Sequence, residues 1–276
     1  MAGLAGECRE PALPETKAID ALAETIAAAR LARTPLPAQA GKAPPDIVRA
    51  YAVQGAVHRR LAVSRFGRRS GWKIGCTTPV MQDYLGIDHP CAAGLFAGTS
   101  HASGAVLRHG DFVRVGVECE IAVRLAHDLP GEGASVDSVR GAVGEVMAAI
   151  EIVDDRYVDW QSIGTPMLIA DDFFAAGCVL GAGLAPDALP DLAGLHGRTL
   201  VDGVEVGAGV GADVLGHPYA ALAWLAEHAQ ARGAPLRAGE TVLLGSLVKT
   251  QWLPPGAVAR VEIEALGAVE ARFAAD

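Results

Sequence analysis

The stretch Phe112–Leu125, FVRVGVECEIAVRL, restricts the fold more than any other part of the chain. Val113, Val115, Val117, Cys119, Ile121, Val123 and Leu125 alternate with Arg114, Gly116, Glu118, Glu120, Ala122 and Arg124. A period of two specifies a β-strand whose odd positions face a core. Glu118 and Glu120 then share the other face, with Cα atoms roughly 6.5–7 Å apart at the rise of a strand. Carboxylates that close repel unless a cation sits between them or one binds a proton. A solvated face with Arg114 and Arg124 as partners relieves the same repulsion, so spacing alone leaves both arrangements open.

A third acid bears on the choice. Glu151 sits inside the apolar run Ala148–Val153, just before Asp154, Asp155 and Arg156. Burying a carboxylate there is costly unless it is paired or coordinated; an edge strand that turns it to water avoids the cost. If Glu151 meets Glu118 and Glu120, three carboxylates with no His or Cys make a site for a hard cation. Mg2+ or Mn2+ suits such a set better than zinc. Lys73, in GWKIGCTT, is a lone cation between two glycines and beside Trp72 and Ile74. It is either an edge-strand lysine reaching solvent or a partly buried ammonium of lowered pKa that exchanges a proton near a metal-bound substrate.

Composition sets what can surround these residues. Of 276 residues, 51% are hydrophobic, enough for a sizeable core. A net charge of −9 argues against a general nucleic-acid binder, which needs a basic face. The most apolar stretch, Phe173 to Ala185, is too short for a membrane span and stops at Pro186. The first fifteen residues lack the basic and apolar segments of an export signal. Cys8, Cys76, Cys91, Cys119 and Cys178 are widely spaced and form no C-x-x-C pair, which points to a reducing cytoplasm without disulfides.

Two amphipathic helices are expected first, Thr16–Arg33 and Pro45–Leu61, separated by a Pro- and Gly-rich break. They form an N-terminal helical region, residues 1–70, ahead of a larger body, residues 71–276. In that body short Val/Ile runs are divided by Gly, Pro and Asp, and helices are expected only at Ser135–Ala149 and Pro218–Arg232. Strands adjacent in sequence without βαβ alternation indicate a mixed α+β fold. GAGVGADVLG (207–216) matches a dinucleotide fingerprint nominally, but no helix opens from it before Pro218, so it reads as a loop.

On these residues the chain resembles the 2-keto-4-pentenoate hydratase / 4-oxalocrotonate decarboxylase family, a branch of the fumarylacetoacetate hydrolase superfamily. The resemblance is carried by GWKIGCTTPVMQDYLGID (71–88), VECEIAVRL (117–125), AIEIVDDRYVDW (149–160), VLGHPYAALAWLAEH (214–228), LRAGETVLLGSL (236–247) and VEIEALGAVEARF (261–273). It implies a mixed β-roll body with an N-terminal helical region, assembled into homo-oligomers. It also implies Glu118, Glu120 and Glu151 as ligands of Mg2+ (or Mn2+), and Lys73 as the acid/base lysine. The substrate implied is a small 2-keto acid that chelates the ion. Backbone groups at Ile74, Gly75, Ser246 and Leu247 are candidates to hold its carboxylate, and Asp171 and Asp172 to line its pocket.

Two departures fall near that pocket. Cys91 stands where relatives often carry an Asp, and Asp171-Asp172 replaces an Asp-Asn pair. Cys91 is expected to be a small apolar filler, and Asp171 and Asp172 have the alternative of capping a helix before FFAAG. His58 is expected in solvent, and His217 caps or packs the helix from Pro218. The function implied is hydration of a 2-hydroxy-dienoate or 2-keto-enoate from aromatic ring cleavage. The alternatives are 4-oxalocrotonate-type decarboxylation, acylpyruvate hydrolysis, or a non-catalytic scaffold associated with a sister hydratase or decarboxylase.

Overall fold

A computed structural model describes residues 13–36 and 43–275. The first twelve residues, with Cys8 and most of the stretch read for an export signal, lie outside the described residues, as does part of the Pro/Gly-rich break. The chain opens with helices α1 (Leu13–Ala32) and α2 (Ile47–Ala62). Asp46 caps α2 by accepting the Arg49 amide at 2.8 Å. Its buried face carries Ala50, Tyr51, Val53, Val57 and Leu61, together with Gln54, whose Nε2 donates to the carbonyls of Ala92 and Ile169. There follow β1 (Arg69–Gly75), α3 (Pro79–Leu85), β2 (Cys91–Phe96), β3 (Ser100–Ala102), β4 (Ala105–Arg108), β5 (Val115–Leu125), α4 (Val136–Arg140) and β6 (Val143–Asp154). The remainder is α5 (Thr165–Ala170), β7 (Ala175–Leu180), β8 (His196–Val201), β9 (Val204–Val210), α6 (Pro218–Ala231), β10 (Thr241–Trp252), β11 (Val258–Ile263) and β12 (Gly267–Ala274).

These strands build the mixed α+β roll that the sequence leads one to expect. One sheet has the order β2-β1-β10-β5-β6-β7-β3, the other β4-β12-β11-β8-β9. Most neighbours are antiparallel, while β1–β10, β3–β7 and β4–β12 are parallel. In the larger sheet β2 also approaches β7 across the gap, so the sheet curls and gains an inside. Its outside packs on the smaller sheet and the helices, burying Val115, Val117, Cys119, Ile121, Val123 and Leu125 as the alternation requires. Its inside holds a second apolar cluster, Leu95, Ala122, Met147, Ala149, Cys178 and Leu243.

Three local expectations are corrected. The helix expected over Ser135–Ala149 ends after one capped turn at Arg140, and β6 begins at Val143. Ser135 and Ser138 cap each other there, but residues 143–154 pair along almost all of β5, and sheet burial overrides the helical preference of Met and Ala. The loop expected at 207–216 is in part strand: Gly207–Val210 complete β9, and a 3-10 turn follows over Gly211–Asp213. The strand at Phe112 starts later, because Asp154 Oδ1 accepts the amides of Val113 and Arg114 and takes them out of the ladder.

Candidate active site

Glu118 and Glu120 project into the roll from β5, and Glu151 comes from β6, directly opposite Glu118 in the ladder. One carboxylate oxygen from each lies within 4.8 Å of the others. Neither of the alternatives that kept these acids in water holds. β6 is an interior strand flanked by β5 and β7, and Glu120 and Glu151 are 0% and 1% exposed. Arg114 and Arg124 serve other acids, Asp155 at 3.3 Å and Glu145 at 3.4 Å.

Like charges facing each other across a ladder are unfavourable, and the titration of the site reflects it. Burial, then the charge of Glu151, pushes Glu118 up to about 7. Burial, then Glu151 and Glu118, pushes Glu120 well above the ordinary carboxylate range. Partial relief comes from β10. Thr250 Oγ1 donates to Glu118 Oε1, and the Gly245 amide donates to Glu120 Oε2 at 2.9 Å. A break in register between Leu243 and Ser246 aims that amide. Gly245 has φ +124, and a Cβ on it would stand 2.7 Å from Thr77 Cγ2, so only glycine serves.

Lys73 rises from β1, between β2 and β10, so it is not on an edge and is only 4% exposed. Its Nζ lies 2.8 Å from Glu151 Oε1 and donates to the Phe173 carbonyl at 2.8 Å. The lowered pKa expected for it is not found. Burial opposes the charge, but Glu151, Glu118 and Glu120 outweigh burial and hold the ammonium above the ordinary lysine value.

These features make the site fit a divalent cation. Glu120 Oε1 and Glu151 Oε2 are buried without a hydrogen-bond partner among the described residues, and they face the other acids. Buried acceptors left that way are rare and call for a ligand. The thiol of Cys178, opposite Glu151 in the ladder, is pushed up to about 11 chiefly by burial and stays neutral. An oxygen-only donor set favours a hard ion.

The other expected positions are distributed unevenly. Gly75 ends β1 over the site, where a Cβ would meet Lys73 Nζ at 3.8 Å and Phe173 Cδ1 at 3.9 Å. Ile74 and Leu247 point their side chains into the outer core, leaving only backbone to face inward. Ser246 Oγ donates to the Val248 carbonyl at 2.6 Å. Asp171 and Asp172 are 0% exposed, and every oxygen of theirs is engaged by protein groups. Asp171 accepts from Arg30 Nε (3.0 Å), Tyr157 OH (2.8 Å) and Arg156 Nη2. Asp172 accepts from Arg30 Nη1 (2.9 Å), His58 Nε2 (2.7 Å) and the Gly94 amide (3.0 Å). The capping expectation fails, since Asp171 makes no side-chain cap bond. His58 is half-buried and tied into this network rather than free in solvent, while His217 does cap α6 by accepting the Tyr219 amide. Cys91 is buried at the end of β2, as an apolar filler would be. Sequence reasoning missed Thr250, Arg30 and His58. Only His58 carried a signal, as it lies four residues after Gln54 on the buried side of α2.

Comparison with known proteins gives the chain a family. The model of the fumarylacetoacetate (FAA) hydrolase C-terminal family matches residues 89–274. The TodF product hydratase of Pseudomonas putida is 37% identical over 83% of this chain and 85% of its own. The 2-keto-4-pentenoate hydratase of Burkholderia vietnamiensis is 35% identical over 83% of this chain and 86% of its own. Among solved structures, the 4-oxalocrotonate decarboxylase from Pseudomonas putida G7, complexed with magnesium and adipate, superposes with a TM-score of 0.89. It is 27% identical, and the match covers 96% of this chain and 100% of that one.

Proposed function

The chain belongs to the fumarylacetoacetate hydrolase family, in its 2-keto-4-pentenoate hydratase / 4-oxalocrotonate decarboxylase branch, and on that footing we propose a Mg2+-dependent hydratase of a 2-hydroxy-dienoate or 2-keto-enoate from aromatic ring cleavage. It is a lyase by kinship. The observation that carries the finer reading is the convergence of three carboxylates beside a buried lysine, in a chain whose relatives at 35–37% identity are named hydratases.

Glu118, Glu120 and Glu151 would hold the ion; Mn2+ would satisfy the same donors. When bound it would polarise the C2 oxygen of a chelating 2-keto acid, which eases proton movement on the adjacent carbons. The chain does the rest. Lys73 Nζ, fixed between Glu151 Oε1 and the Phe173 carbonyl, hands its proton to the substrate carbon chain and recovers one as the keto form is reached. Gly75 leaves the space over Nζ open for those carbons. The Ile74–Gly75 and Ser246–Leu247 backbone offers amides to the carboxylate of the acid. Leu95, Met147 and Leu243 keep water from the far side of the acids.

Purified protein supplied with Mg2+ should consume 2-hydroxypenta-2,4-dienoate, read as loss of dienol absorbance, and should stop on addition of a chelator. Absence of turnover with Mg2+ and Mn2+, on this acid and on its longer dioate relatives, would sink the reading. Decarboxylation is the second reading, favoured by the likeness to the decarboxylase structure; trapping of carbon dioxide from 4-oxalocrotonate in the same assay separates the two. The exposed apolar side chains Val48, Val80, Tyr84 and Val158 support a homo-oligomer, which light scattering would detect.

A further inference from the structure

The turn after α5 has an unusual backbone. Asp172, Phe173 and Phe174, none of them glycine, all have left-handed φ of 57°, 47° and 67°. Left-handed conformation is disfavoured for L-residues and persists in runs only where surroundings enforce it. Here the middle residue of the run presents its carbonyl to Lys73 Nζ at 2.8 Å.

The enforcing groups are identifiable. Asp172 is held from three elements at once: by Arg30 on α1, by His58 on α2 and by the Gly94 amide on β2. The same guanidinium brackets the turn, since Arg30 Nη2 donates to the Asp171 carbonyl at 3.1 Å and to the Ala175 carbonyl at 2.8 Å. Gly94 makes the approach possible, because a Cβ there would stand 2.7 Å from the His58 ring. The turn is also packed by the buried Phe173 ring in the core and by the edge-on contacts of Phe174 with Tyr157 and Trp160, but these are apolar contacts that do not aim the Phe173 carbonyl.

We propose that Asp172 is a positioning residue for Lys73: clamped by Arg30, His58 and Gly94, it holds the left-handed turn that places the Phe173 carbonyl on the lysine. The inference rests on the reading of Lys73 as the group that carries the proton. Without the clamp the turn relaxes and the carbonyl leaves Nζ, so the ammonium keeps its contact with Glu151 but loses the second anchor that fixes its direction. The acids, and with them the binding of cation and 2-keto acid, are untouched by that movement.

The test separates proton transfer from binding. With Mg2+ and 2-oxopentanoate in deuterium oxide, NMR follows exchange of the C3 protons, and calorimetry with Mg2+ and oxalate reads binding. Lys73→Met should abolish exchange and leave oxalate binding in place. Asp172→Ala should slow exchange about a hundredfold, the scale of an ångström's misplacement of a reacting group. His58→Phe, which removes one of the three contacts, should slow it about tenfold, with Mg2+ and oxalate affinities within twofold of the parent in both variants. If Asp172→Ala does not fold, His58→Phe carries the test alone. Exchange within twofold of the parent in the folded variants, while Lys73→Met is dead, overturns the inference and spares the lysine reading. So does a parallel fall in exchange and affinity, which marks a structural role. Exchange that survives Lys73→Met overturns the lysine reading itself, and the inference with it.

Discussion

The acids of the site show how far single residues could be read. The spacing of Glu118 and Glu120, and the odd place of Glu151 in an apolar run, both follow from local pattern. The partner of each acid did not, because Thr250 and the Gly245 amide arrive on a strand more than a hundred residues away. Without an ion the three carboxylates oppose one another, so replacing one should help the empty protein and harm the loaded one. Glu120→Gln should raise the stability of chelator-treated protein by about 1–3 kcal/mol. It should also abolish the gain that Mg2+ gives the parent, roughly 2.7 kcal/mol at a hundredfold excess over Kd; thermal melts with and without Mg2+ read both. A second residue-scale prediction concerns His228, packed against Tyr51 and stacked on Trp224 at 4.9 Å. Burial, then the charges of Arg232 and His89, pushes it down to about 4. Between pH 6.5 and 4 the unfolded chain binds this proton and the fold does not, so stability falls with pH across that window, by about 3 kcal/mol, and levels off below it. In His228→Phe, urea titrations from pH 7 to pH 4 should show that part of the slope gone.

Among elements, β10 turns strand geometry into site geometry. Its register breaks let one strand serve two purposes: pairing with β5 and turning an amide onto Glu120. Gly245→Ala meets both the φ of +124 and the Thr77 side chain. It should cost about 1–3 kcal/mol in urea unfolding and weaken Mg2+ binding at the same time. Elements with a strong internal period were legible: α1, α2, α6 and β5 lie within a few residues of expectation. The failure at 135–149 has a plain cause. Val-Met-Ala-Ala-Ile has a respectable helical period and a respectable strand period, and only the long ladder with β5 decides between them. No window of sequence contains that ladder.

On the scale of the whole molecule, the N-terminal helices are bolted to the site through charge. Arg30 on α1 meets Asp171 and Asp172, 141 and 142 residues later, with side chains at 3% and 0% exposure. Arg30→Met would take one charged partner from each of two buried acids and should cost about 3–5 kcal/mol in denaturant unfolding. Arg60→Met, at the exposed pairs with Asp20 and Glu24, should cost no more than about 1 kcal/mol. The contrast is invisible to composition, since both arginines sit in helices of similar character. The apolar cluster inside the roll has a consequence for timing. Leu95, Met147 and Leu243 close one end of it, so on the proposed reading cation and organic acid would both enter from the other end. On that reading the cation would pass first, because an acid already seated would block the way behind it. Oxalate bound over Mg2+ should therefore act as a cork: a chelator added afterwards should strip the ion far more slowly than from protein holding Mg2+ alone, as stopped-flow release would record.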